Sequence, residues 1–219
     1  MLARALLRFD GHILGVAFAS GDRFVVGRWP FSPFGGVADV MWARADGERV
    51  LLAERPELLE FLGCHYRFDR ALRTAVRVDL VSRRTIFVEA GAVRIELELG
   101  PPGLASDLLR LRPRFLRERP SWITVEDAVL RPVVAPWIGA PGIRTRGITA
   151  AGVREWYAIH DLRPIAVSRA WVDGEDLGTT VRAGPAGFGF SEFPDHAALV
   201  RVTALFEAQG SPARSPFGC

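Results

Sequence analysis

Val37-Ala38-Asp39-Val40-Met41-Trp42-Ala43-Arg44, then Ala45-Asp46-Gly47-Glu48, then Arg49-Val50-Leu51-Leu52-Ala53 read as strand, turn and strand. Two apolar runs flank an Asp-Gly dipeptide, which suits the type I′ turn of a tight hairpin. Toward the N-terminus, Leu2 to Phe9, His12 to Ala19 and Arg23 to Trp29 are apolar runs separated by Asp10-Gly11 and Ser20-Gly21-Asp22. That pattern predicts a strand meander, joined to the hairpin by a Pro and Phe loop over 29–36. Toward the C-terminus, Pro56 to Leu62 predicts a short helix, with proline in its first turn, Leu58, Leu59 and Leu62 on one side, and Gly63 as its stop. Strands are expected at Tyr66 to Phe68, Thr74 to Val81, Thr85 to Glu89 and Ala92 to Leu99. The last alternates cleanly, so Val93, Ile95, Leu97 and Leu99 share a buried face and Arg94, Glu96 and Glu98 a wet one.

Gly100-Pro101-Pro102-Gly103 breaks the strand pattern, and Leu104, Leu108 and Leu111 then recur at helical spacing until Pro113, which predicts a helical connector. Strand signals resume near Gly142. Ile143 to Ile148 and Val153 to Leu162 flank Thr149-Ala150-Ala151-Gly152, and Ile165 to Val172 follows. Asp195 to Gln209 reads as a closing helix, with Asp195 as N-cap, Leu199, Val202, Leu205 and Phe206 as its stripe and Gly210 as terminator. The tail from Ser211 reads as frayed.

The expected fold class is therefore mainly β (α+β): about 12 strands in an antiparallel curved sheet, closed as a barrel or a sandwich, with three helical pieces. Each half centres on a hairpin carrying a tryptophan, Trp42 and Trp156, which suggests two pseudo-similar halves. We expect one compact domain over 1–219, made of a β-rich half (1–100), an Arg-rich helical connector (101–131) and a second β-rich half (132–219).

At 219 residues with 49% hydrophobic and 24% charged, the chain can build its own core, which excludes disorder for most of its length. There is no lysine, so a Schiff base, a pyridoxal phosphate aldimine and a P-loop lysine are all excluded. No asparagine is present either, which excludes N-glycosylation, and the Arg, Ala, Gly and Pro bias points to a GC-rich bacterial source. Cys64 and Cys219 are too few for a disulfide framework and indicate a reducing compartment. Ile13 to Phe18 lies at the bottom of the length range of a secretory signal core and follows the interruption Asp10-Gly11-His12, and no run approaches the roughly 18 apolar residues of a membrane span. The expectation is a cytoplasmic protein.

Three features bear on chemistry. The whole +3 excess of charge lies in 110–131, where Arg110, Arg112, Arg114, Arg117 and Arg119 cluster. Such a cluster can contact phosphates, although pairing with acids folded against it is the simpler reading, and nucleic-acid binding is not favoured. Second, Ala186-Gly187-Phe188-Gly189-Phe190-Ser191-Glu192-Phe193 resembles the RNP1 strand of RRM domains, whose aromatics stack on RNA bases. The resemblance covers eight residues, with Ala186 and Ser191 departing from it, and the surrounding turns do not supply the helix and fourth strand that an RRM needs. The simpler expectation is an ordinary strand with Phe188 and Phe190 on the core face.

The third feature is Arg154-Glu155-Trp156-Tyr157-Ala158-Ile159-His160-Asp161. On a strand, Trp156 and His160 share one face and Glu155, Tyr157 and Asp161 the other. A turn at Ala150-Ala151 sets Arg146 opposite Glu155 and Arg144 opposite Tyr157. Six Trp and 14 Phe supply aromatic walls, so the leading expectation is an apolar or amphipathic small molecule in a cavity, with Trp42, Arg144, Trp156, Tyr157 and His160 as ligand-binding residues. The alternative is a cofactor-free hydrolase, isomerase or cyclase in the same cavity, with His160, Glu155 and Tyr157 as catalytic candidates and Asp161 as a further partner. No metal or cofactor is expected: the four histidines are scattered, and neither a C-x-x-C, a G-x-G-x-x-G nor a G-x-S-x-G motif is present. The residues leave the oligomeric state open.

Overall fold

The computed structural model describes residues 5–113, 115–129, 131–132 and 142–208. In chain order its elements are β1 (Leu6–Ala17), β2 (Arg23–Phe31), β3 (Val37–Ala43), β4 (Arg49–Ala53), α1 (Pro56–His65), β5 (Arg70–Arg73), β6 (Val76–Leu80), β7 (Thr85–Ala90), β8 (Val93–Leu99), α2 (Leu104–Leu111), α3 (Pro120–Val129), β9 (Arg146–Ile148), β10 (Arg154–Val172), β11 (Glu175–Asp176) and β12 (Ala198–Glu207). The strands join in one curled sheet that forms a half-barrel, in the order β5-β4-β3-β2-β1-β12-β10-β8-β7-β6, with β9 and β11 paired to β10. Every pairing is antiparallel except β4 with β5, which α1 connects as a parallel crossover. The mainly β, antiparallel curved architecture expected from the turn spacing is what forms.

Strand β10 decides the shape. It pairs with β12 over Glu155–Pro164 and with β8 over Ile165–Val172. Register breaks at Ile159/Asp161 and Ile165/Val167 bracket Pro164, which has no N–H to give to a ladder. The strand therefore bends there and carries the sheet from one arm to the other.

Bending brings β2, β3 and β4 against β7 and β8. Phe24, Val26, Val40, Trp42, Val50 and Leu52 meet Ile86, Val88, Ile95 and Leu97 in one core. The reverse face of the same strands builds a second core, where Phe9, Trp29 and Leu51 pack on Leu58 and Phe61 of α1 and on Val202, Ala204 and Phe206 of β12. A third, small cluster sets Ile123 of α3 on Trp156, Ala158 and Leu205. Phe61 alone touches Phe9, Phe34, His65 and Phe206 through its ring, burial of the kind that contributes about 1.5–3 kcal/mol per side chain.

Several expectations are corrected. Ala198–Glu207 is strand β12, and not the core of a closing helix. It lies between β1 and β10 with most of both faces covered, so seven of its ten residues are apolar and the helical spacing of Leu199, Val202, Leu205 and Phe206 carries no information. Asp10-Gly11 is a bulge inside the continuous β1 and not a turn; a Cβ on Gly11 would sit 2.0 Å from the Arg28 carbonyl oxygen. Helix α1 runs through Gly63 to His65, and the strand expected at Tyr66 to Phe68 forms instead at Arg70–Arg73. Val153 to Leu162 and Ile165 to Val172 belong to the single strand β10. Helix α2 forms, but Leu104, Leu108 and Leu111 face outward while Ser106 is buried. Leu2, Arg114, Gly210, Cys219 and the tail from Ser211 lie outside the described residues.

Both hairpin turns share one correction. Asp46-Gly47 does not make a type I′ turn: Gly47 alone takes positive φ, at 91°, and Arg44 N–H donates to the Glu48 carbonyl across a three-residue loop. The second hairpin repeats this, with Gly152 at φ 76° and Thr149 N–H donating to the Val153 carbonyl. A left-handed glycine adds one residue to such a loop, and a one-residue change moves every side chain to the opposite partner. Glu155 therefore faces Gly147 and not Arg146, and Tyr157 N–H donates to the Thr145 carbonyl and not across from Arg144.

Candidate functional site

Segment 183–197 crosses the second-core face of β1, β2, β12 and β10 beside α1, and a cavity of about 140 Å³ lies beneath it. Phe9, Ile13, Trp29, Met41, Val202 and Phe193 supply apolar wall. The segment is not a strand, as Phe188 and Phe190 had suggested, but a loop fixed at its ends and along its length. Arg67 N–H donates to the Phe188 carbonyl at 2.7 Å, Arg144 N–H to Ser191 Oγ at 2.9 Å, and the Glu192 carboxylate accepts the N–H groups of Ala186 and Gly187 at 2.8 and 3.0 Å. Its aromatic rings descend onto glycines: a Cβ on Gly15 would meet the Phe193 ring at 2.0 Å, and one on Gly147 the Phe190 ring at 2.1 Å. That is the physical reason for glycine in two strands.

Polar groups gather on one wall. Tyr66, just after α1, donates its hydroxyl to Glu155 Oε1 at 2.5 Å, and the Tyr66 and Tyr157 hydroxyls are 2.9 Å apart. Phe190 stacks on Tyr157 with ring centroids 5.6 Å apart. Both tyrosines border the cavity, while Glu155 lies behind them with no exposed surface and its Oε2 makes no hydrogen bond. Across β2 and β3, Trp29 Nε1 donates to Oδ1 of the buried Asp39 at 3.0 Å, and Asp39 also lines the cavity.

No cation pairs with either carboxyl in these contacts, so burial acts on both almost unopposed. Burial pushes the Glu155 carboxyl up to about 8, with the Tyr66 and Tyr157 hydroxyls pulling it back in part. Asp39 is pushed up to about 7 by burial, against the Trp29 indole N–H. Both phenols are raised, first by burial and next by the charge of Glu155; the Asp39 charge also reaches Tyr157.

The geometry carries a directional chain. With Glu155 ionised, Tyr157 donates to Tyr66 and Tyr66 to the carboxylate, leaving only a lone pair of Tyr157 toward the cavity. With Glu155 protonated, its O–H donates to Tyr66, Tyr66 to Tyr157, and the Tyr157 O–H is turned toward the cavity.

The structure brings Glu155, Tyr157 and Arg144 to this region and separates the other candidates from it. Trp156 and His160 point to the opposite face of β10; Trp156 Nε1 donates to Thr124 Oγ1, and His160 Nε2 is 2.9 Å from Thr203 Oγ1, which donates to Asp10 at 2.6 Å. His160 is held below the usual imidazole range chiefly by burial and then by Arg201; its hydrogen-bond partner is Thr203, with Glu118 Oε1 3.7 Å from the same nitrogen, rather than Glu155, Tyr157 or Asp161. Asp161 instead accepts from Ser106 of α2. Trp42 belongs to the first core, stacked on Phe24, with Nε1 donating to Asp22.

Reading the sequence missed Asp39 and Tyr66. Two signals were present: Asp39 is the one charged residue inside an otherwise apolar strand, and the chain holds two tyrosines among 219 residues, both at this site. In the connector, Arg112 pairs with Glu126 at 2.7 Å and donates to the Ile159 carbonyl, Arg117 donates to the Arg110 and Arg112 carbonyls, and Arg110 lies 3.7 Å from Asp161. Among the described residues no group of three His, Cys, Asp or Glu side chains is placed to hold a metal, and no helix is long and apolar enough to cross a membrane. No family model, curated protein or solved structure matches the chain.

Proposed function

We propose that the chain binds an apolar or amphipathic small molecule in the half-barrel cavity, with its polar end toward Asp39, Tyr66 and Tyr157. The observation that carries this reading is the composition of the wall: mostly aromatic, aliphatic and glycine residues, with a minority of polar side chains that include Asp39, Tyr66 and Tyr157. Ligand sites have this composition, because apolar walls supply affinity and a few oriented donors and acceptors fix the pose. The size supports a compact ligand, since engineered apolar cavities of about 150 Å³ hold benzene. Arg144 and Arg23, which also line the cavity, suit an anionic or polar group at the outer end of an amphipathic molecule.

Native mass spectrometry of the protein purified from bacteria, with a thermal-shift panel of fatty acids, terpenoids and aromatic polyketides, tests this. A co-purifying mass or a rise in melting temperature supports it; a clean apo mass with no shift across the panel counts against it.

A second reading, a cofactor-free enzyme in the same cavity, is favoured by one observation. Two carboxyls with raised protonation ranges are near the cavity, Asp39 on its lining and Glu155 behind the two phenols that border it. Perturbed groups of this kind converge where proton transfer is carried out.

A further inference from the structure

Resting on that cavity reading, we propose that the site is an isomerase site for a small apolar ketone, in which Asp39 moves a proton between carbons and the Glu155–Tyr66–Tyr157 chain donates to the ketone oxygen.

The two parts occupy the same cavity and differ in what they offer. Asp39 is a buried carboxyl with one hydrogen-bond donor, the Trp29 indole N–H, and it borders the cavity along with Gly27, Trp29 and Met41. A carboxylate there has lost most of its hydration and acts as a stronger base than one in water. The chain Glu155–Tyr66–Tyr157 is the complementary acid: its inner end is a wholly buried carboxyl with an unpartnered Oε2, and its outer end is a phenol bordering the cavity. With the proton on Glu155 the hydrogen bonds all run outward, so Tyr157 presents an O–H to a ligand oxygen. Phe190, stacked on Tyr157, and Gly189, where a Cβ would come within 2.8 Å of the Tyr66 ring, hold both phenols in place.

The reaction balances with these groups alone. For a β,γ-unsaturated ketone, Asp39 takes a proton from the carbon between the carbonyl and the alkene. The C–H electron pair becomes the dienolate, whose negative oxygen is held by the Tyr157 O–H, with Tyr66 and Glu155 donating behind it. Asp39 then returns the proton to the γ-carbon, the carbonyl re-forms, and the alkene is conjugated. Nothing is oxidised or reduced and no co-reactant enters. Donors fixed in a dry site before charge develops are the largest source of catalysis for such a step.

The test uses the intact protein with two single-ring probes matched to the cavity. Cyclohex-3-enone reports turnover through the absorbance of its conjugated isomer, and 4-fluorophenol, which imitates the enolate oxygen, reports binding through its fluorine resonance. The expected result is conversion above an equal concentration of free carboxylate, lost in Asp39→Asn. Tyr157→Phe lowers kcat by about 10²–10³ and weakens 4-fluorophenol by about tenfold. Tyr66→Phe, which interrupts the chain one step back, lowers kcat more than it raises KM. Circular dichroism confirms that each variant is folded, and the 4-fluorophenol titration provides a second readout independent of turnover. If 4-fluorophenol binds equally well to the parent and to Tyr157→Phe, and no conversion is seen, the isomerase proposal is overturned while the cavity reading stands. If neither probe binds the parent, both fall.

Discussion

The hydroxyls of Tyr66 and Tyr157, the only two tyrosines in the chain, lie 2.9 Å apart, on residues 91 positions apart in sequence. One follows the C-terminus of α1 and the other sits near the start of β10, and the fold brings them together. Glu155, two residues before Tyr157 on the same face of β10, closes the group from behind. Two phenols and a carboxyl sharing hydrogens out of water form a network that works as one unit, and removing any member changes what the other two present to the cavity.

The network makes stability depend on pH with a definite sign. Glu155 and Asp39 have carboxyls raised on folding, to about 8 and about 7, from ordinary values of 4.5 and 3.8. Between those limits the unfolded chain has released protons that the folded chain still holds, so stability is greatest below about pH 4 for these two groups and falls as pH rises through 8. Each group contributes at most about 1.4 kcal/mol per pH unit in its window. Denaturant unfolding from pH 5 to pH 9 is expected to show this decline, and Glu155→Gln should flatten the part that extends to about pH 8. A stability that rises across this range would contradict the burial argument.

Gly147→Ala is expected to displace Phe190. The new Cβ would lie 2.1 Å from its ring, with the stack on Tyr157 immediately beyond. Overpacking of this kind costs about 1–3 kcal/mol. A melting temperature equal to that of the parent would show that segment 183–197 does not pack as described.

His160→Gln should leave 4-fluorophenol binding unchanged, because His160 points away from the cavity toward Thr203. Its loss is structural, about 1–2 kcal/mol from the broken Thr203 and Asp10 network. A fall in probe affinity with stability intact would place His160 back among the binding residues.

Arg112→Leu is expected to destabilise by about 1–3 kcal/mol, since Glu126 is then left mostly buried with its charge unmatched. The double variant Arg112→Leu, Glu126→Leu should recover part of that loss. Equal destabilisation by the single and double changes would argue that the Ile159 carbonyl contact, and not the ion pair, is what Arg112 supplies.

Much of the fold was legible because both signals it rests on are local. Hairpin strands such as Val37–Ala43 and Arg49–Ala53 and alternating strands such as Val93–Leu99 depend on neighbours in sequence, and they formed where expected, although the turns carry one more residue than expected. Strand β12 was not legible, since a strand covered on both faces loses its period of two and Leu199, Val202, Leu205 and Phe206 then fit a helix by chance. The site was half legible. Glu155 and Tyr157 were read from the alternation of β10, but their partners come from elsewhere: Tyr66 after a helix expected to end at Gly63, and Asp39 across the sheet from a different hairpin. One left-handed glycine, Gly152, moved the register by a residue, so Glu155, expected opposite Arg146, is a buried carboxyl facing Gly147.

The central claim, an occupied cavity with its polar end at Tyr157 and Asp39, is tested most directly by filling the space. Val202 lines the cavity from β12, and Val202→Phe would project a ring into it. A fluorine titration of 4-fluorophenol against parent and variant is predicted to show binding to the parent and its loss in a folded Val202→Phe protein with a melting temperature within a few degrees. Binding that persists unchanged in the filled variant, or that is absent from the parent, would contradict the account.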